Sequence, residues 1–177
     1  MKTTALFLTL ALSASSVAFG NDDIRVAPLV RDGSVLVSFS APAAITTELR
    51  DAIRSGLVVT FTYEIALRQR AFLWFDRTRA RKALSVSVRF DNLTRTYEVS
   101  RMADGKVIWS QTTASEADVR AWVTSFDHLR VTDGATLEPN AEYELRIRAS
   151  ISPRRAWSLW PWGRDDATGR ATFTYIR

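Results

Sequence analysis

From Val58 to Arg70 the chain alternates between apolar and polar side chains over a longer stretch than anywhere else in its 177 residues. Val59, Phe61, Tyr63, Ile65 and Leu67 fall on one parity, Thr60, Thr62, Glu64, Arg68 and Arg70 on the other, and between Val59 and Arg68 only Ala66 breaks the pattern. A period of two is the period of a β-strand, whose successive side chains point to opposite faces of a sheet. One face is therefore wet and the other must be covered by a second layer, because five consecutive apolar positions on one side cannot stay in water.

The same alternation returns in Leu84, Val86, Val88 and Phe90 against Ser85, Ser87 and Arg89, and in Val35, Val37 and Phe39 after Asp32-Gly33. It returns again in Tyr143, Leu145, Ile147, Ala149 and Ile151 opposite Glu142, Glu144, Arg146 and Arg148. Asp32-Gly33, Asp91-Asn92 and Asp104-Gly105 supply turn chemistry between runs, predicting antiparallel hairpins, and a closing strand is predicted from Arg170 to Ile176. Pro28 lacks an amide donor, which places its strand at a sheet edge. Two segments carry helical signals instead. Thr46 or Thr47 caps a helix through Ser55 that buries Leu49, Ala52 and Ile53 and ends at Gly56; Ser115 caps a second to about Asp127, with His128 at its end. The expected fold is mainly β, an antiparallel two-layer sandwich of immunoglobulin-like type with two short helices; the alternative is a barrel or one curved sheet wrapped round the second helix.

Met1-Lys2, the apolar run from Ala5 to Leu12 and the small residues before Asn21 read as a secretory signal peptide over residues 1–20, leaving 21–177 as a single β-rich domain. The expected location is periplasmic or extracellular, with membrane association an option. There is no cysteine, which removes disulfides, lipoprotein attachment, thiol nucleophiles and thiolate metal sites; with one histidine, a histidine-rich metal centre is out of reach as well. No glycine-rich phosphate loop or nucleophile elbow is present. The reading is of a protein that is not an enzyme and takes no cofactor.

The stretch Leu49, Ala52, Ile53, Gly56, Leu57, Val59, Phe61, Tyr63, Glu64, Ile65, Leu67, Arg70, Trp74 and Asp76, continued by Phe90, Asp91, Leu93 and Tyr97, resembles a family of uncharacterised exported bacterial proteins, the domain-of-unknown-function family 4390. The resemblance runs from about Val26 to Tyr175. It implies export and a shared fold, and no activity.

Charge is distributed in blocks. Arg68 to Lys82 holds six cationic side chains against Asp76 alone, and Glu116 to Glu144 holds seven acids against Arg120 and Arg130, so the two blocks are expected to attract each other across the fold. Within the first block, arginines interleave with aromatic rings, and Arg70, Trp74, Arg77, Arg79 and Arg81 are candidate partner-binding residues. Pro153 to Arg164 carries Trp157, Trp160 and Trp162 among arginines, a composition suited to a protein hot spot or a membrane interface, and adds Trp160 and Trp162 to the candidates. The function expected is an exported, non-catalytic binding or adaptor domain of the bacterial cell envelope. Its partner would be another envelope protein, with an anionic membrane surface possible and nucleic acid not expected. The alternatives are peripheral membrane binding through the tryptophan-rich loop, or a cell-envelope glycan hydrolase using two of Glu64, Asp76, Glu98 and Asp104.

Overall fold

The computed structural model describes residues 24–41, 45–70, 77–153 and 167–176. They form two antiparallel sheets. The smaller holds β1 (Arg25–Arg31), β2 (Ser34–Ser40) and β7 (Ser125–Asp133) in the order β1-β2-β7. The larger holds β3 (Val59–Gln69), β4 (Arg77–Asp91), β5 (Thr96–Ala103), β6 (Lys106–Thr113), β8 (Glu142–Pro153) and β9 (Ala167–Thr174) in the order β6-β5-β4-β3-β8-β9. The two-layer antiparallel sandwich required by the alternation is the fold found. Pro28 lies on β1, the outer strand of the smaller sheet, opposite Val37.

The register of the larger sheet follows from the apolar faces. Val59, Phe61 and Tyr63 lie opposite Val88, Val86 and Leu84 on one side, and Ile65, Leu67 and Tyr63 lie opposite Ile147, Leu145 and Ala149 on the other; all are buried. A shift of one residue would turn each of these side chains into water. At roughly 1.5 to 3 kcal/mol per fully buried large apolar side chain, the strand β3 with its two neighbours β4 and β8 contributes much of the core. Against this face the smaller sheet presents Val35, Val37, Phe39, Phe126 and Val131. Phe39, Tyr63 and Phe126 meet as an aromatic triangle with ring centroids 4.6 to 5.3 Å apart.

Helix α1 (Thr47–Arg54) is capped by the Thr46 hydroxyl, which accepts from the Leu49 amide at 3.4 Å, and Gly56 follows it in the left-handed region at φ +88°. Helix α2 (Glu116–Thr124) is capped by Ser115, which accepts from the Asp118 amide at 3.2 Å. Glu116 pairs with Arg50 and with Arg54, joining the two helices. Helix α1 rests on β3 and β4, and α2 on β5 and β6, covering the part of the larger sheet that the smaller one leaves bare.

Two expectations are corrected: the closing strand β9 runs over Ala167–Thr174, not Arg170 to Ile176, because it pairs from Ala149 to Glu142 of β8, and the second helix is shorter than expected. The second helix ends at Thr124, not near Asp127, and passes directly into β7 at Ser125. Phe126 and His128 are thus strand residues. His128 sits at a bulge with φ 50°, its amide donating to Ser38 Oγ at 3.1 Å, and is exposed rather than a cap or a packed side chain. The junction is held by Arg101, an inner-face residue of β5. Its guanidinium donates to the Trp122 carbonyl at 2.6 Å and lies 4.9 Å from the Trp109 ring centroid and 4.8 Å from that of Phe126. Burial holds the Arg101 pKa below its usual value, although Tyr63 nearby opposes the shift. Burial likewise pushes the Tyr63 phenol upward, so it remains a donor, here to the Val123 carbonyl at 2.8 Å.

Candidate functional site

Strand β4 begins at Arg77, so Arg77, Arg79 and Arg81 belong to a strand rather than to a charged corner, and they do not share one surface. Between Leu67 and Arg68 the register slips: Leu67 faces Ala80 whereas Arg68 faces Thr78, leaving Arg79 as the bulged residue. Arg79 donates from Nε to Gln69 Oε1 at 2.8 Å and pairs with Glu138, while Gln69 donates to the other Glu138 oxygen at 2.7 Å. Hydrogen bonding from Gln69, and then the Arg79 charge, hold the Glu138 carboxyl below its ordinary pKa. Arg70 pairs with Glu142 at 2.9 Å, and its amide donates to the Glu142 carbonyl at 3.0 Å. These arginines tie the ends of β3 and β4 to the acidic block. Two of the candidates, Arg70 and Arg79, are therefore engaged within the fold. Arg77 is exposed opposite Gln69. Trp74, Trp160 and Trp162 lie outside the described residues, as do Asp76 and Trp157.

Arg81 has a different setting. It projects from the outer, solvent-facing side of the larger sheet, where the register places cross-strand rows side by side. One row reads Arg81, Ala66, Arg146, Arg170 across β4, β3, β8 and β9. The row on one side reads Thr78, Arg68, Glu144, Thr172, and on the other Ala83, Glu64, Arg148, Thr168. Neighbouring strands are about 4.8 Å apart, so these long side chains converge above a floor of alanine. The result is a groove of about 540 Å³ lined by Glu64, Ile65, Ala66, Arg68, Arg81, Lys82, Ala83, Asp104, Arg146 and Arg148, in which the cations outnumber the two carboxylates.

Its charges are incompletely matched from within. Arg146 donates through Nε and Nη2 to Glu144 Oε1 at 2.9 and 2.6 Å, and Glu144 is largely sheltered, its side chain 13% exposed. Arg68 Nε is buried with no hydrogen-bond acceptor among the described residues, an arrangement that costs free energy unless something supplies one. Arg81, Arg148, Glu64 and Asp104 are exposed and make no ion pair among the described residues. Beyond the groove the same face is a lawn of hydroxyls, including Thr60, Thr62, Ser85, Ser87, Ser100 and Ser150. Of the acids weighed for glycan chemistry, Glu64 and Asp104 share the groove, while Glu98 pairs with Arg89 at 2.8 Å. Among the described residues no group of three or more His, Asp or Glu is placed to hold a metal ion.

Of the groove residues, sequence reasoning singled out Arg81 as a partner-binding candidate and weighed Glu64 and Asp104 only as acids for glycan chemistry; it did not bring them together or add Arg146 and Arg148. Arg146 and Arg148 were legible as the wet side of their strand; what no one-dimensional pattern discloses is that β8 lies beside β3, which brings them next to Ala66 and Glu64.

No helix among the described residues is long and apolar enough to cross a membrane. No curated protein and no solved structure matches the chain at a significant level. A family model does match, over residues 21–155, so the match ends before β9, where the resemblance read from the sequence continued to Tyr175. With most of its length covered, the chain belongs to the family described as a domain of unknown function, DUF4390.

Proposed function

We propose that this protein is an exported, non-catalytic binding or adaptor domain of the bacterial cell envelope, and that it holds another envelope protein against the outer face of its larger sheet. The observation that carries this reading is the groove over Arg81, Ala66 and Arg146, with Arg148 at its side. Exposed guanidinium groups on a rigid strand scaffold are suited to carboxylate recognition, because arginine forms bidentate hydrogen bonds and sheds water more readily than lysine. The signal-like residues 1–20 support export.

The test is a photoreactive residue placed in cells at Ala83, exposed in the groove, and separately at Ala27, exposed on the smaller sheet. Adduct formation with a protein from position 83 but not 27, lost when Arg81→Glu and Arg148→Glu are added, is the expected result. Adducts from 27 alone, or adducts from 83 that survive both reversals, would move the interface elsewhere.

A further inference from the structure

The groove is not uniformly cationic. Ala66 lies between Arg81 and Arg146 in one row, with the acceptor-less Nε of Arg68 two residues along β3. Ala83 lies opposite Glu64, and Asp104, in the turn between β5 and β6, lines the groove beside it. Ala66 thus forms a low floor among three arginines, with Glu64 two residues back along β3, and Ala83 a second floor where the two carboxylates of the groove gather, with Arg81 two residues back along β4. The two floors are diagonal neighbours on adjacent strands, a separation of about 7 to 8 Å. Side chains two apart on an extended chain are spaced by about 6.6 Å, twice the rise per residue. Arg148 borders Glu64 on the far side and limits the acidic floor to the Ala83 flank.

Resting on the binding reading above, we infer that the groove recognises a charge pair: an extended segment of the partner protein bearing an acidic and a basic residue two positions apart, the carboxylate over Ala66 and the cation over Ala83. Charge complementarity selects this occupant over a uniformly acidic chain, whose second carboxylate would face Glu64 and Asp104. Like charges brought together at an interface cost affinity rather than merely failing to add to it.

The test uses the purified protein and four capped nonapeptides with the same β-prone threonine-rich background, differing only in a central Glu-Thr-Lys, Glu-Thr-Glu, Lys-Thr-Lys or Gln-Thr-Gln. Binding is followed by chemical shifts at Ala66 and Ala83. The Glu-Thr-Lys peptide should bind at least about tenfold more tightly than either like-charged peptide. Glu64→Lys with Asp104→Lys should transfer the preference to Glu-Thr-Glu, and Arg81→Glu should weaken every peptide that carries Glu at the first position. A change in ranking cannot come from unfolding, which would weaken all four alike. Equal binding of the four, no binding, or a ranking that the reversals leave unmoved would overturn the inference. So would binding of anionic phosphatidylglycerol vesicles in place of peptides. If position 83 still traps a protein in cells while the peptides rank equally, the binding face stands and the charge-pair reading alone falls.

Discussion

Arg101 donates from its guanidinium to the carbonyl of Trp122 at 2.6 Å, placing a cation at the carboxyl end of α2 where the last carbonyls have no partner within the helix. The replacement Arg101→Met keeps most of the apolar stem and removes the charge. It should cost about 1.5 to 3 kcal/mol in chemical denaturation, the range for a hydrogen bond to a charged group. Amide exchange should rise first at the last turn of α2 and at Phe126; uniform acceleration across both sheets would deny Arg101 this local role.

Phe61 is 1% exposed and its neighbour Thr62 faces the hydroxyl lawn. Phe61→Ser should destabilise by roughly 3 to 5 kcal/mol, from lost burial, a cavity and a buried hydroxyl. Thr62→Ser should stay within about 0.5 kcal/mol, as surface substitutions do. Equal losses by thermal melting would contradict the register.

Gly169 lies where β9 packs tightly against the start of β1. A Cβ there would lie 2.2 Å from the Ile24 carbonyl oxygen and 2.8 Å from its Cβ, while the Ile24 amide donates to the Thr168 carbonyl at 3.3 Å. Gly169→Ala should therefore cost about 1 to 3 kcal/mol, or more because backbone must move, and should release the start of β1 to proteolysis before the rest of the domain. An unchanged cleavage pattern would count against a fixed β1 to β9 contact.

Glu138 gives the stability a pH dependence of definite sign. Its folded pKa lies below the ordinary value of 4.5, chiefly through the hydrogen bond from Gln69 and also through Arg79. A carboxylate depressed by folding stabilises the native state above its unfolded pKa, and that contribution is lost as the pH falls through the lower, folded one. Denaturation midpoints of Glu138→Gln should thus differ from the parent at neutral pH and converge with it in acid. A constant difference down to pH 2 would show that Glu138 does not titrate in this way.

The sheets could be read from the sequence because alternation survives wherever one face is dry, as in Val59 to Leu67, and the helix starts because Thr46 and Ser115 carry capping hydroxyls. Strand β7 could not. Its inward residues Phe126 and Val131 are thrown out of a period of two by the bulge at His128, and Val119, Val123 and Phe126 together mimic one helical face. At the site the obstacle was topological. Arg81, Ala66 and Arg146 are far apart in sequence and meet only through the pairing of β4, β3 and β8; Arg79 differs from Arg81 because of one bulge that composition does not disclose.

The direct passage of α2 into β7 also bears on how this chain can change length. A residue inserted between Thr124 and Ser125 would rotate the helix by about 100° relative to the strand or reverse every side chain of β7, since the two elements have periods of 3.6 and 2. Either Val123 would leave the core or Phe126 would leave the aromatic triangle. Insertions and deletions should accordingly be tolerated in the Asp91 to Arg95 turn and rejected at 124/125, where one covalent bond joins the packing of both layers.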